Sequence, residues 1–175
     1  MKKIAVCAVL AFALIAAVFA FGTAETATGN AGEYLRIHIR ANSNGEEDQA
    51  VKYLVRDAVV EYLTPIVAEC GSKEEAVKTL SGALDGAVRT AERVLEANGF
   101  SYGARASVRR EEFPTRVYEG VTLSAGVYDA LIVELGTGEG DNWWCVVYPP
   151  LCFTSGGGNV VYKSKIAEII RNFFA

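Results

Sequence analysis

The residues best equipped for chemistry lie in Asn142–Phe153, Asn-Trp-Trp-Cys-Val-Val-Tyr-Pro-Pro-Leu-Cys-Phe. This stretch holds both tryptophans, two of the four cysteines and two of the four prolines of the 175-residue chain. Cys145 and Cys152 flank Pro149-Pro150. If the chain folds back at the prolines the two sulfurs can meet, and a disulfide closing so short a loop contributes about 2–3 kcal/mol. The alternative is a pair of buried thiols packing as small hydrophobes. With Cys145 and Cys152 bonded, Cys70 stays unpaired. Trp143 and Trp144 are adjacent, so on a strand they face opposite ways.

Other chemistries fare worse. His38 is the one histidine of the chain. It alternates with Arg36 and Arg40, which places it on a solvated polar strand face, and catalysis would require oriented partners. Ser43 is better explained as a helix cap, and no Gly-x-Ser-x-Gly elbow occurs. Zinc sites want four Cys or His ligands at tight spacing. Here His38, Cys70, Cys145 and Cys152 are scattered without a Cys-x-x-Cys. Asn42, Asn44 and Gly45 fail as a calcium loop, because aligning Gly45 with the loop glycine puts Arg40 first and Val51 last, where carboxylates belong. Gly136-Thr137-Gly138-Glu139-Gly140 leads into the tryptophans rather than a helix N-terminus, so it reads as a mobile loop and not a nucleotide site. The acid pairs Glu46-Glu47 and Glu111-Glu112 read as solvated; a glycosidase pair depends on three-dimensional spacing. No catalytic residue, metal or cofactor is expected.

The formal charge is −4, and it becomes −6 once Lys2 and Lys3 leave with a leader. So acidic a domain is a poor nucleic-acid binder. That leader is Met1-Lys2-Lys3, the apolar run Ile4–Phe21 and the small polar stretch Gly22–Asn30, the pattern of a secretory signal. An uncleaved membrane anchor is the other reading, since 18 apolar residues nearly span a bilayer. Either way the remainder is exported, where disulfides persist, and membrane contact is expected only through the leader. The expected division is leader 1–24, linker 25–33, folded domain 34–155, and a glycine hinge with tail 156–175.

Within the domain, Tyr34–Arg40 alternates as a half-buried strand. A helix from about Glu46 to Leu63 is expected to be capped by Ser43 or Asn44 and stopped or kinked by Pro65. Its apolar stripe would be Val51, Leu54, Val55, Ala58 and Tyr62, with Asp48 and Lys52 as an exposed i,i+4 pair. Ser72-Lys73-Glu74-Glu75 is a second capping box. The helix it opens runs to about Ala97, burying Val77, Leu80, Leu84, Val88, Ala91 and Leu95, and Asn98-Gly99 ends it. Gly82 and Gly86 inside this helix point to close helix packing. The spacing then predicts an edge strand over Ala104–Glu112, a short segment in Val117–Leu123, and strands over Val127–Leu135 and Asn142–Tyr148. A short terminal helix is expected over Ile166–Phe174. The fold class is α+β: a largely antiparallel sheet with two main helices on one face, in the order β-α-α-β-β-β plus that C-terminal helix.

Three blocks carry a resemblance. Ile39-Arg40-Ala41-Asn42-Ser43 with Glu47-Asp48-Gln49-Ala50-Val51-Lys52 and Val55-Arg56-Asp57-Ala58-Val59 is one. Asn142-Trp143-Trp144-Cys145-Val146 with Tyr148-Pro149-Pro150-Leu151-Cys152-Phe153 is the second, and Phe113-Pro114-Thr115 with Tyr118 the third. Together they resemble the stage II sporulation protein R family over roughly Tyr34–Phe153. The resemblance implies a signalling protein of endospore formation, made in the forespore and exported into the space between forespore and mother cell. It implies as partner a membrane-embedded aspartic protease, stage II sporulation protein GA, which then processes pro-sigma-E. The competing reading is a secreted cell-wall-acting hydrolase, and a third is an anchored structural domain of the envelope. Candidate partner-binding residues are Trp143 and Trp144, then Arg36, His38 and Arg40 of the first strand with Asn42.

Overall fold

The computed structural model of the protein describes residues 27–29, 31–118 and 121–151. Its frame is a four-stranded mixed sheet in the order β3-β6-β2-β7, where β2 is Leu35–Arg40, β3 Ala104–Phe113, β6 Gly126–Leu135 and β7 Asn142–Tyr148. Strands β2 and β6 run parallel, while β7 and β3 pair antiparallel to β2 and β6. Two helices, α1 (Glu46–Val67) and α2 (Lys73–Ala97), connect β2 to β3. Three short strands, β1 (Ala27–Gly29), β4 (Arg116–Tyr118) and β5 (Val121–Leu123), form a second sheet in the order β1-β5-β4. The α+β class and the mainly antiparallel pairing follow the sequence reading. The terminal helix, the leader and the tail lie outside the described residues. Ala27–Gly29, in the stretch read as linker, is paired in parallel with β5.

The sheet has two unlike faces. On one, Leu35, Ile37 and Ile39 of β2 pack with Leu131, Val133 and Leu135 of β6 against Val51, Val55, Val59, Leu63 and Val67 of α1 and Leu80, Ala91 and Leu95 of α2. The burying stripe of α1 thus advances by fours from Val51. Leu54, expected within it, is 49% exposed. On the opposite face a second core gathers Tyr34, Phe113, Tyr128, Ala130, Ile132 and Val146 with Leu123 of β5, and Trp144 and Tyr118 pack on it.

Both capping expectations for α1 fail, as does the stop at Pro65. Gly45 is the N-cap and supplies no side-chain bond. The helix passes through Pro65 to Val67. An interior proline costs about 3 kcal/mol. Leu63 and Val67, each 1% exposed, return roughly 1.5–3 kcal/mol apiece on burial, so packing carries the helix past the break. α2 behaves as read. Ser72 Oγ accepts from the Glu75 amide at 3.2 Å, while the Glu75 carboxylate reaches back to the Gly71 amide at 2.8 Å. At the other end the Phe100 and Gly99 amides donate to the Leu95 and Glu96 carbonyls at 3.0 Å each, with Gly99 at φ +82°, a Schellman stop. Close helix packing occurs at Gly86, where an added Cβ would overlap the Tyr62 ring, whereas Gly82 has open space around it.

Candidate functional site

The register aligns side chains in rows across the face opposite the helices. Arg105, Glu134, Arg40 and Asn142 form one row, Ser107, Ile132, His38 and Trp144 the next, and Arg109, Ala130, Arg36 and Val146 a third. Arg36, His38 and Arg40 therefore do share a face, but it is not the solvated face expected of them. Arg36 and His38 are both 0% exposed. The cause is position: β2 is an interior strand, and aromatic side chains from β3, β4, β6 and β7 close over its second side.

Arg36 is held by rings rather than by an acid. Its guanidinium carbon lies 4.2 Å from the Phe113 ring centre, 4.9 Å from Tyr128 and 5.8 Å from Tyr118. Nη2 donates to the Tyr118 hydroxyl at 3.0 Å and Nη1 to the Pro114 carbonyl at 3.4 Å, while Nε has no hydrogen-bond partner among the described residues. Burying a charge without a counter-ion is costly. Cation–π attraction of about 2 kcal/mol or more per desolvated ring contact offsets part of that cost.

His38 Nε2 accepts from Arg40 Nε at 2.6 Å. Its ring meets Trp144 edge-on at 4.4 Å between centroids and Phe113 at 5.8 Å. Burial, reinforced by the Arg40 charge, pushes the imidazole down to about 4. At neutral pH it is uncharged, with Nε2 occupied as an acceptor and the proton assigned to Nδ1. A base whose free nitrogen is already taken by a guanidinium is poorly placed to remove a substrate proton. Ser43 is committed elsewhere, donating to Asp48 Oδ2 at 2.6 Å and accepting from the Gly45 amide at 3.1 Å.

Arg40 turns outward into an ion cluster. It pairs with Glu111 at 2.8 Å and Glu134 at 3.2 Å. Arg109 contacts the same two acids at 3.0 and 3.5 Å, and Arg105 approaches Glu134 at 4.0 Å. Burial works against the Glu111 carboxylate, but the Arg109 hydrogen bond and the Arg40 charge hold it below the usual carboxylate range.

Trp143 and Trp144 do face opposite ways, and both are half-buried. Trp143 packs on the helix-side core and lies 5.6 Å from the Arg56 guanidinium carbon. Arg56 also lies 5.0 Å from the Tyr53 ring. Tyr53 is 45% exposed, so α1 and the start of β7 present two aromatic rings bridged by the Arg56 guanidinium.

Asn42 is a clamp rather than a contact surface. Nδ2 donates to Asp48 at 2.8 Å, Oδ1 accepts from the Thr137 amide at 3.0 Å, and its carbonyl accepts from the Thr137 hydroxyl at 2.8 Å. The amides of Gly140 and Asp141 bond the Ala41 carbonyl at 2.9 Å and the Asn44 side chain at 2.7 Å. The loop 136–141, expected to be mobile, is thus tied down along its length. Gly136 sits at φ +58° with its α-carbon against the Asn42 amide, leaving no room for a side chain. The predicted exposed pair also dissolves. Asp48 is 9% exposed and accepts from Asn42, Ser43 and Tyr102. Lys52, 1% exposed, donates to Gln49 at 2.5 Å and to the Asp141 carbonyl at 3.0 Å. Sequence reasoning missed Tyr102 and Asp141 as anchors; both lie far along the chain from the acid and amine they satisfy.

Cys145 is buried at 6% exposure and Cys70 is a free buried thiol. Cys152 lies outside the described residues. Among the described residues no group of His, Cys, Asp and Glu could hold a metal ion, and no helix is long and apolar enough to cross a membrane.

Fold and site together define an α+β domain with a helical hairpin on one sheet face and, on the other, a ring-caged arginine beside an arginine–glutamate cluster. A family model of stage II sporulation protein R matches residues 31–157. The chain is 33% identical over 171 residues to Stage II sporulation protein R of Bacillus subtilis (strain 168), an alignment spanning 94% of this chain and 76% of that protein. No solved structure matches it. The chain belongs to the stage II sporulation protein R family, a family of sporulation proteins.

Proposed function

We propose that this protein is an exported signalling ligand of endospore formation, without enzymatic activity of its own. In this reading it leaves the forespore behind its leader and binds the membrane-embedded aspartic protease, stage II sporulation protein GA. Binding favours the protease's active state by differential affinity, and pro-sigma-E is processed in consequence. The observation that carries the reading is the patch of Tyr53 and Trp143 on either side of the Arg56 guanidinium. Large aromatic side chains left open beside a stacked arginine are the composition of protein-interface anchors. Membership of a sporulation family supplies the setting. The hydrolase alternative loses support at its acid: a glycosidase needs one carboxyl kept protonated, and Glu111, the one of the Glu111-Glu112 pair that joins the cluster, is held below the usual carboxylate range by Arg109 and Arg40.

The test is co-expression of the protease and its pro-sigma substrate with and without the full chain. Processing that depends on the chain is expected. Processing indifferent to it, or turnover of peptidoglycan by the purified chain, would refute the reading.

A further inference from the structure

We propose that the open half of the sheet face opposite the helices docks an acidic segment of a protein partner. The inference rests on the signalling reading, and it assigns chemistry to a second contact surface, away from the Trp143 patch. Among the described residues Arg40, Arg105 and Arg109 stand together on that face and share only Glu111 and Glu134, an excess of one positive charge there within a chain of formal charge −4. Glu134 is divided among all three guanidiniums, at 3.2, 4.0 and 3.5 Å. Its weakest hold is on Arg105, whose side chain is 67% exposed, and Arg109 is 39% exposed. These two can turn toward an incoming carboxylate and grip it through paired N–H donors.

The surroundings strengthen such a contact. Trp144, His38 and Phe113 form a ring-packed floor beside the cluster, and partial exclusion of water raises the strength of an ion pair above that of an open surface pair. Among the described residues His38 Nδ1, the protonated nitrogen of the ring in the row that carries Trp144, has no hydrogen-bond partner. The two glutamates set within the cluster disfavour a continuous polyanion such as nucleic acid or an anionic lipid surface, which would have to pass over them. Separate carboxylates on a peptide can pass between them.

Two measurements decide this. Fluorescence anisotropy of a labelled oligoglutamate peptide, titrated with the purified full chain, reads the surface without any receptor. The peptide is expected to bind, at least tenfold more weakly to R105E/R109E and with little change to R105K/R109K. Absence of binding, binding indifferent to R105E/R109E, or tighter binding of phosphatidylglycerol vesicles than of the peptide overturns the inference. In the co-expression system R105E/R109E is expected to lower pro-sigma processing at least tenfold while R105K/R109K processes at the parent level, with both variants folded at the assay temperature by circular dichroism. Parent-level processing by R105E/R109E overturns the inference and leaves the signalling reading intact. If the parent chain itself fails to activate, the signalling reading falls and the peptide titration alone decides the surface.

Discussion

Arg40 Nε donates to His38 Nε2 at 2.6 Å, so an arginine uses the domain's one histidine as a hydrogen-bond acceptor. The contact requires a neutral ring. Together with burial it holds the folded imidazole at about 4, against 6.5 for the free group.

A pH dependence follows directly. As pH falls below about 6.5 the unfolded chain takes up a proton at His38 before the folded chain does, so stability declines with falling pH down to about 4, where both states are protonated. The full contribution is present above 6.5. Between pH 7.5 and 4.5 the loss is about 2–3 kcal/mol. Urea denaturation at those two pH values should show it. His38→Leu should lose that part of the slope, and an unchanged slope would contradict the assignment.

The helix pair makes opposite predictions for two glycines of α2. Gly82→Ala should stabilise by up to about 1 kcal/mol, because a helix interior favours alanine and nothing stands near that position. Gly86→Ala should destabilise by roughly 1–3 kcal/mol as its methyl drives Tyr62 off the helix. Thermal unfolding of the two variants measures both. Equal effects would mean that the helices do not approach at Gly86.

The two tryptophans should separate structure from signalling. Trp144 packs against His38 and Phe113, so Trp144→Ala should cost about 3 kcal/mol or more. Trp143 lies beside exposed Tyr53 and the Arg56 guanidinium. Trp143→Ala should unfold at a temperature closer to the parent's and lose most protease activation. A folded Trp143→Ala that signals normally would move the contact away from this patch.

For the cysteines, we expect a Cys145–Cys152 bond in exported protein, motivated by the proline pair between them. Peptide mapping without reduction should recover the two cysteines in one linked fragment, with Cys70 alkylated only after unfolding because it is a buried thiol. Recovery of both Cys145 and Cys152 as free thiols would dispose of the bond.

The sequence made the long elements legible because each carries its own period or punctuation. β7 begins and ends where its residues and Pro149 place it, α2 stops at Asn98-Gly99, and the tryptophans diverge as strand geometry demands. What covered the second face of β2 was not legible. The rings that close over it, Phe113, Tyr118, Tyr128 and Trp144, come from four different strands, and Tyr118 from one of only three residues, so Arg36 and His38 looked like solvated residues. Asp48 and Lys52 misled for a related reason. Their spacing is that of a surface ion pair, yet Asp48 is satisfied by Tyr102 and Lys52 by the Asp141 carbonyl, partners that no local window contains. Leu54 fitted a helical stripe as well as Val59 did. Only the sheet's position selected between them.

The central strand has a kinetic consequence. Leu35–Arg40 finds both of its neighbours late in the chain, in Asp129–Glu134 and Asn142–Tyr148. Closing such distant pairs demands loop entropy before any reward is collected. A chain emerging N-terminus first therefore holds this interior strand unpaired until its last quarter is free. Under the export proposed above, this delay would keep the chain from closing as a finished domain before it has passed through a translocation channel.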